Sequence, residues 1–434
     1  MANGIFSGVL ATTMFFGTLL FSAARPCAAQ SGGELISNPV AQQLGLERVW
    51  STALRVDPAR GRVENVIVHR GLIVAQTNTA LLQGIDAETG RTYWVTEIGK
   101  ASYQTHLPAV NDKYVAATNG DTLYLLDRAT GGQIWSQRLG KAPSAGPAIS
   151  DDRVYVPLDG GLVEGYKILR ERLLDHVPTR FSGTGGTSQS PVTVGNRVLW
   201  TTDKGYVYSR EQAKELIQFR FRMNDKATAA PVYMSPFVYA AALSGTVYCL
   251  DEVSGLDVWQ ASGTNSISRP LIAIDGKLFA ISETGEMLRL NPLSGIQMWY
   301  TTGIAKFLAA GAKNLYLLDS QGRLQVLDAE TGGRKGAIPV SGIDLAVRNT
   351  SSDRIYVGSS TGMLQCLRER QQAKPLEHTT GFAIAPKPKD GAPVPAPAAT
   401  DAAPPADAPG SPFGAPAAAP AAPAAAPSAN PFGS

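Results

Sequence analysis

The chain has 434 residues, of which 44% are hydrophobic and 17% charged, with 44 glycines and 29 prolines. This composition suits many short strands joined by tight turns and argues against long helices. A formal net charge of +3 excludes a strong global field for nucleic acid, three cysteines exclude a disulfide framework, and four scattered histidines offer no metal-ligand spacing.

Residues 5–24 carry no charge and are rich in Leu, Phe, Val and Ala. Small residues at Cys27 and Ala29 fit signal-peptidase cleavage after Ala29, which makes 1–29 a signal peptide. Lys and Arg are missing before the apolar run, and twenty such residues also suffice to span a bilayer, so a retained membrane anchor is the second reading. Lipidation of Cys27 is a third, although Pro26 and Ala24 stand where a lipidation motif wants a small residue and a leucine. Each reading exports the rest of the chain, to the periplasm or the outer membrane.

A repeat of about forty residues then fills residues 44–372. Asp86, Thr89, Gly90 and Trp94 recur at the same spacing as Asp127, Thr130, Gly131 and Trp135; as Asp251, Ser254, Gly255 and Trp259; and as Asn291, Ser294, Gly295 and Trp299. Asp328, Thr331 and Gly332 begin a further copy without its tryptophan. Upstream of each, runs of four to six β-branched or aromatic residues are punctuated by pairs such as Asn119-Gly120 and Ser244-Gly245. These are strand and hairpin signals: the short side chains bond the local backbone, and glycine accepts positive φ. Repeats open near Val66, Pro108, Pro147, Pro191, Pro231, Pro270, Ala309 and Leu345. The prediction is an all-β, eight-bladed β-propeller of four-stranded antiparallel blades. The eighth repeat lacks a fourth strand, and the segment around Trp50 resembles one, so the N-terminal segment is expected to close the ring. Cys249 and Cys366 occupy one repeat position in different blades and are expected to be buried and unpaired. Residues 383–434 are mostly Pro and Ala and read as a disordered tail, in which Ser411-Pro-Phe413-Gly414 and Asn430-Pro-Phe432-Gly433 recur.

The periodic Asp86, Asp127, Asp251 and Asp328 read as turn formers, and Trp50, Trp94, Trp135, Trp259 and Trp299 as wedges between blades. No residue is nominated for catalysis or metal binding. His106 has no triad partner at a recognisable spacing, and the glycines at 183–186 precede a strand rather than the helix a phosphate loop needs. Residues just before each first strand should converge on one mouth of the central channel: Gln104, His106, Ser144, Gln189, Thr228, Arg269 and Lys306. Blades three and four have lost the Asp-Thr-Gly-Trp segment, and residues 166–226 hold eleven Lys and Arg against six Asp and Glu. There Lys167, Arg170, Arg172, Phe219, Arg220, Phe221 and Arg222 form the candidate partner-binding patch, with a relaxed solvated rim as the alternative.

Over residues 46–370 these repeats resemble the quinoprotein-like (PQQ-like) propeller family. One branch includes the outer-membrane assembly factor BamB, an exported scaffold that contacts envelope proteins. The other holds quinone-dependent dehydrogenases with an adjacent cysteine pair and calcium ligands beside the cofactor. No two cysteines are adjacent here, and no catalytic residue of that branch can be carried over. The resemblance implies a non-catalytic interaction scaffold in the cell envelope, in outer-membrane protein assembly, without a cofactor. A PQQ-dependent oxidoreductase and a polysaccharide-binding module are the alternatives.

Overall fold

The computed structural model describes Met1 and residues 34–57, 59–212, 217–263 and 265–379. Apart from Met1, the expected signal peptide at 1–29 lies outside the described residues, as does the tail at 383–434. Eight separate four-stranded antiparallel sheets follow one another along the chain, the blades of a propeller.

Blade two shows how the sequence builds one unit. Tyr114–Asn119 and Thr122–Asp127 pair in register, joined at Gly120, which turns at φ +58°. Asp127 Oδ1 then accepts from the backbone N–H groups of Ala129 and Thr130 at 3.0 and 2.8 Å and from Thr130 Oγ1 at 2.8 Å, with Gly131 at φ +68°. That turn launches the outer strand, Gln133–Arg138. The two middle strands of a blade are covered on both faces by neighbouring blades, so they are apolar almost throughout; all six residues of Leu72–Thr77 are buried. Outer strands have one face in water and alternate accordingly. The core lies between blades: Leu72, Val74 and Trp94 of blade one pack on Val115, Ala117 and Leu126 of blade two.

The ring closes as the sequence implied. Leu46–Ala53 pairs antiparallel with Met363–Glu369, Leu46 opposite Glu369 and Ala53 opposite Met363, and supplies the outer strand of blade eight. The two ends of the propeller are thereby held in one sheet, and no blade is left short of a strand.

Two features outside the repeats reinforce this closure. A short helix, Asn38–Gln42, precedes the closing strand, with Pro39 in its first turn. It leads to Leu44, whose Cδ2 lies 2.8 Å from where a Cβ on Gly336 would sit. Gly336 stands eight residues after Asp328, the place of the missing tryptophan of blade seven, so an N-terminal leucine covers the gap. After the last strand, the chain runs back over blades eight, seven and six. Buried Arg354 donates to Glu88 of blade one at 3.0 Å and to the Gln372 and Ala373 carbonyls of this strap. At its far end His378 Nδ1 lies 2.7 Å from Asp275 Oδ2 and Nε2 lies 2.8 Å from the Ala310 carbonyl. Among the described residues no helix is long and apolar enough to cross a membrane.

Candidate functional site

The joints between blades explain which side chains are free to do anything else. In the regular blades the outer-strand ring lies on the turn glycine of the next blade. A Cβ on Gly90 would meet Trp50 at 2.6 Å, on Gly131 Trp94 at 2.5 Å, on Gly295 Trp259 at 2.5 Å and on Gly332 Trp299 at 2.6 Å. Each indole N–H donates to the carbonyl just after the next blade's turn Asp or its equivalent: Trp50 to Ala87, Trp94 to Arg128, Trp259 to Pro292 and Trp299 to Ala329, at 2.9–3.3 Å. The aspartates are engaged in their turns. Hydrogen bonds from Thr130 hold the Asp127 carboxyl below the usual range, and those from Ser254 do the same for Asp251. Asp86 and Asp328 accept from Thr89 and Thr331 in the same way.

The two joints of blade three, with blades two and four, are built differently. Trp135 still donates to the Ile168 carbonyl at 3.0 Å, but no glycine meets its face. Arg170 does, with its guanidinium carbon 3.8 Å from the ring centroid. The ring of Phe181 is likewise covered by buried Arg210 at 3.9 Å. Phe219 stands in the tryptophan position of blade four, and Gly255 of blade five rests on it, 2.2 Å from the would-be Cβ.

These contacts redistribute the candidate partner patch. Phe219 is a buried joint residue, a correction to its place in an exposed patch: the repeat periodicity had survived with phenylalanine in the tryptophan slot. Arg170 is committed to Trp135, and Phe221 is half-buried edge-on to Tyr248. Lys167 and Arg172 converge on the buried carboxylate of Asp175, at 2.7 and 3.4 Å, and these bonds, that of Lys167 foremost, hold Asp175 well below the carboxylate range. Arg220 and Arg222 are exposed and flank the Tyr206 ring at 5.4 and 5.7 Å. The residues therefore divide between a loop of blade three and the outer edge of blade four.

The clamp on Asp175 shapes a loop whose apolar residues composition did not single out. Leu169, Leu173, Leu174 and Val177 are 69%, 87%, 79% and 65% exposed. They lie in the connection between the third and fourth strands of blade three. The equivalent turns of blades five and six expose Val253 and Leu256, and Leu293 and Ile296. Blades one, two and seven place Glu88 and Arg91, Ala129 and Gly132, and Glu330 and Gly333 at those positions. Aligning the turns residue by residue would have revealed this contrast.

A cavity of about 980 Å³ occupies the centre of the ring, lined by inner-strand residues including Val66, Val68, Val194 and Val232. Of the seven channel-mouth candidates, Gln189 lines it, whereas Gln104 belongs to a separate groove beside Tyr103. Three others bridge blades: His106 Nε2 lies 3.2 Å from the Pro143 carbonyl, Ser144 Oγ donates to Thr187, and Thr228 Oγ1 donates to Ile267 at 2.8 Å. Burial lowers the pKa of His106. Lys306 is exposed on the first strand of blade seven, and Arg269 has a buried Nη1 without a hydrogen-bond partner. Missing from the sequence reading is Arg348, which projects into the cavity and donates to the Leu271 carbonyl at 2.6 Å. Its signal was local: Arg348 precedes Asn349 as Val110 precedes Asn111, and both asparagines cap the first turn of their blades.

Among the described residues no three of His, Cys, Asp and Glu are grouped to hold a metal ion. Cys249 and Cys366 are free and buried, and burial pushes the Cys249 thiol up to about 12, far from nucleophilic use at neutral pH.

A search of curated proteins finds no match. Among solved structures, the chain is similar to BamB from Moraxella catarrhalis, with a TM-score of 0.60 and 16% identity over 74% of this chain and 99% of that one. It is similar also to the computationally designed Ika8 protein, with a TM-score of 0.59 and 14% identity over 72% and 98% of the two chains. At such identities these likenesses speak to the fold alone. The family model described as outer membrane protein assembly factor BamB matches residues 42–220 and 186–383, nearly the whole propeller, and the chain belongs to that family.

Proposed function

We propose that this protein is a non-catalytic interaction scaffold of the cell envelope that serves outer-membrane protein assembly, and that it meets its partner through the face bearing the third-to-fourth-strand turns. The observation that carries this reading is the apolar character of those turns in blades three, five and six. Leu173, Leu174, Leu256 and Ile296 are 87%, 79%, 69% and 67% exposed and pack against nothing that would require them to be apolar. The same turn positions hold charged or small residues in blades one, two and seven. Exposed leucines on a rigid frame, ringed by arginines such as Arg172, have the chemistry of a protein interface. Membership of the family and the export signal read from the N-terminus agree with this reading.

The test is cross-linking capture of envelope proteins in the protein's own host. Leu173→Glu with Leu174→Glu, and separately Leu256→Lys with Ile296→Lys, should each reduce capture at least about tenfold, the effect of losing a hot-spot contact, while the melting temperature holds. Arg220→Glu with Arg222→Glu, on the outer edge, should reduce it less. Undiminished capture by both turn variants would remove the turn face from consideration, and a larger loss from the arginine pair would move the interface to the edge of blade four.

A further inference from the structure

The central cavity combines apolar walls with an uncompensated cation. Its volume of about 980 Å³ falls in the range, roughly 300–1,000 Å³, that encloses one small ligand. Three charged residues line it. Two of them answer each other: Arg197 Nη1 lies 3.7 Å from Glu252 Oε1 and donates to the Glu252 carbonyl at 2.9 Å, while Tyr233 OH donates to Glu252 Oε2 at 2.5 Å. The third, Arg348, makes no ion pair among the described residues. A single backbone carbonyl, that of Leu271, accepts from its Nη2, and the residue lines the cavity. It is accessible to water in the channel yet set deep within the ring, and desolvation alone pushes its pKa down to about 10, so it is charged at neutral pH with no carboxylate to offset it.

A second guanidinium stands nearby in the chain. Arg269 is two residues before Leu271, next to Pro270 of the cavity wall, and its Nη1 is buried with no hydrogen-bond partner. Two arginines thus bracket the Arg269–Leu271 stretch of blade six, one of them with an orphaned donor. Neither is needed by the repeat: the position of Arg348 is valine in blade two. An arginine with no carboxylate partner, set among the apolar walls of the channel, is a ready receptor for an anion.

We propose that the channel binds one single-tailed anionic amphiphile, whose carboxylate is received by the Arg348 guanidinium and whose apolar tail lies along Val66, Val68, Val194 and Val232. A planar, forked donor set matches a carboxylate in two parallel hydrogen bonds. The valine walls exclude a polar body of the same charge. The site is independent of the turn face and of any partner bound there.

The experiment is isothermal titration of the full chain, in the form isolated from its host, with decanoate and with decanol. Any detergent carried by the protein takes up each probe equally for wild type and variants, so the difference between proteins reports the site. Wild type should bind one decanoate saturably and prefer it to decanol by about tenfold or more, the value of one charge-assisted contact. Arg348→Gln should erase that preference with decanol binding retained, and Arg348→Lys should restore part of it. Absence of saturable decanoate binding to wild type overturns the proposal, as does an unchanged preference in Arg348→Gln. Should Arg348→Gln fail to fold, Val194→Trp serves instead: its ring intrudes on the wall assigned to the tail and should weaken binding of both probes at least about tenfold, and unchanged binding places the ligand elsewhere and overturns the proposal.

Discussion

The joints that blades five and six make with the next blade, and those that blade three makes with blades two and four, use opposite materials. In the first pair the partner of the aromatic ring is an absence: Gly295 leaves room for Trp259, and Gly332 for Trp299, at distances no side chain could share. In the second pair the partner is a long cation, Arg170 on Trp135 and Arg210 on Phe181. A glycine joint demands a left-handed backbone and a fixed turn length, so it constrains sequence tightly. An arginine joint reaches across space, tolerates a turn of any length, and lets blade three carry the loop with Leu173 and Leu174. Relaxing the repeat at the joint is what made room for a variable surface on an otherwise rigid ring.

The largest expected difference lies in the rings themselves. Trp94 is 6% exposed, on Gly131, and Trp94→Ala should cost about 3–5 kcal/mol, the usual price of emptying a buried aromatic site. Trp135 is half-buried under the guanidinium of Arg170, and Trp135→Ala should cost about 2 kcal/mol. Denaturant unfolding measures both, and equal costs would mean that the two kinds of joint are energetically alike.

Exchanging the cover comes next. Gly295→Ala forces a methyl group against Trp259 at a residue with φ +71°, which should cost roughly 1–2 kcal/mol for the backbone and about 1–3 for the clash. Arg170→Ala opens its joint without strain and should cost about 0.5–2 kcal/mol. If Arg170→Ala were the more damaging, the arginine joint would be no looser than the glycine one.

The smallest effect separates joints by pH. The turn aspartates of the glycine joints are held below the usual carboxylate range and stay ionised at neutral pH, so these joints gain and lose no proton there. The strap ends on His378, whose ring nitrogens both face acceptors, Asp275 and the Ala310 carbonyl, so the bound ring is the imidazolium. Burial alone would lower its pKa, but the hydrogen bonds to Asp275 and Ala310 outweigh it and the net shift is upward. A raised folded pKa contributes stability that is complete below the unfolded value near 6.5 and is lost as pH rises through the folded value. The paired Asp275 is shifted downward, so its share is present above the usual carboxylate value and lost as pH falls through the lowered one. Hydrogen exchange at residues 376–379 should therefore quicken as pH climbs above about 6.5, once corrected for intrinsic rates, with Trp-joint amides unaffected. His378→Gln should flatten that dependence, and a strap equally protected at all pH values would show that the imidazolium does not hold it.

What the residues determined alone was the periodic part. The spacing of Asp, Gly and Trp specifies a turn and a wedge whose geometry is local, and eight repeats with one strand missing at the end and one spare at the start can close only as a ring. The cysteines were legible for the same reason, because Cys249 and Cys366 inherit the burial of their repeat position. The tertiary structure decided everything that depends on distance across the ring. Phe219 keeps the tryptophan slot of the repeat, eight residues after Glu211, but with the turn motif lost its burial became plain only where Gly255 rests on it. Arg170, Lys167 and Arg172 looked like free charge until Trp135 and Asp175 were found beside them. Arg348 meets Leu271 from 77 residues away, and Leu44 covers Gly336 from the other end of the chain. Period is a property of neighbours along the chain, whereas burial and the pairing of charge depend on which blades the closed ring sets side by side.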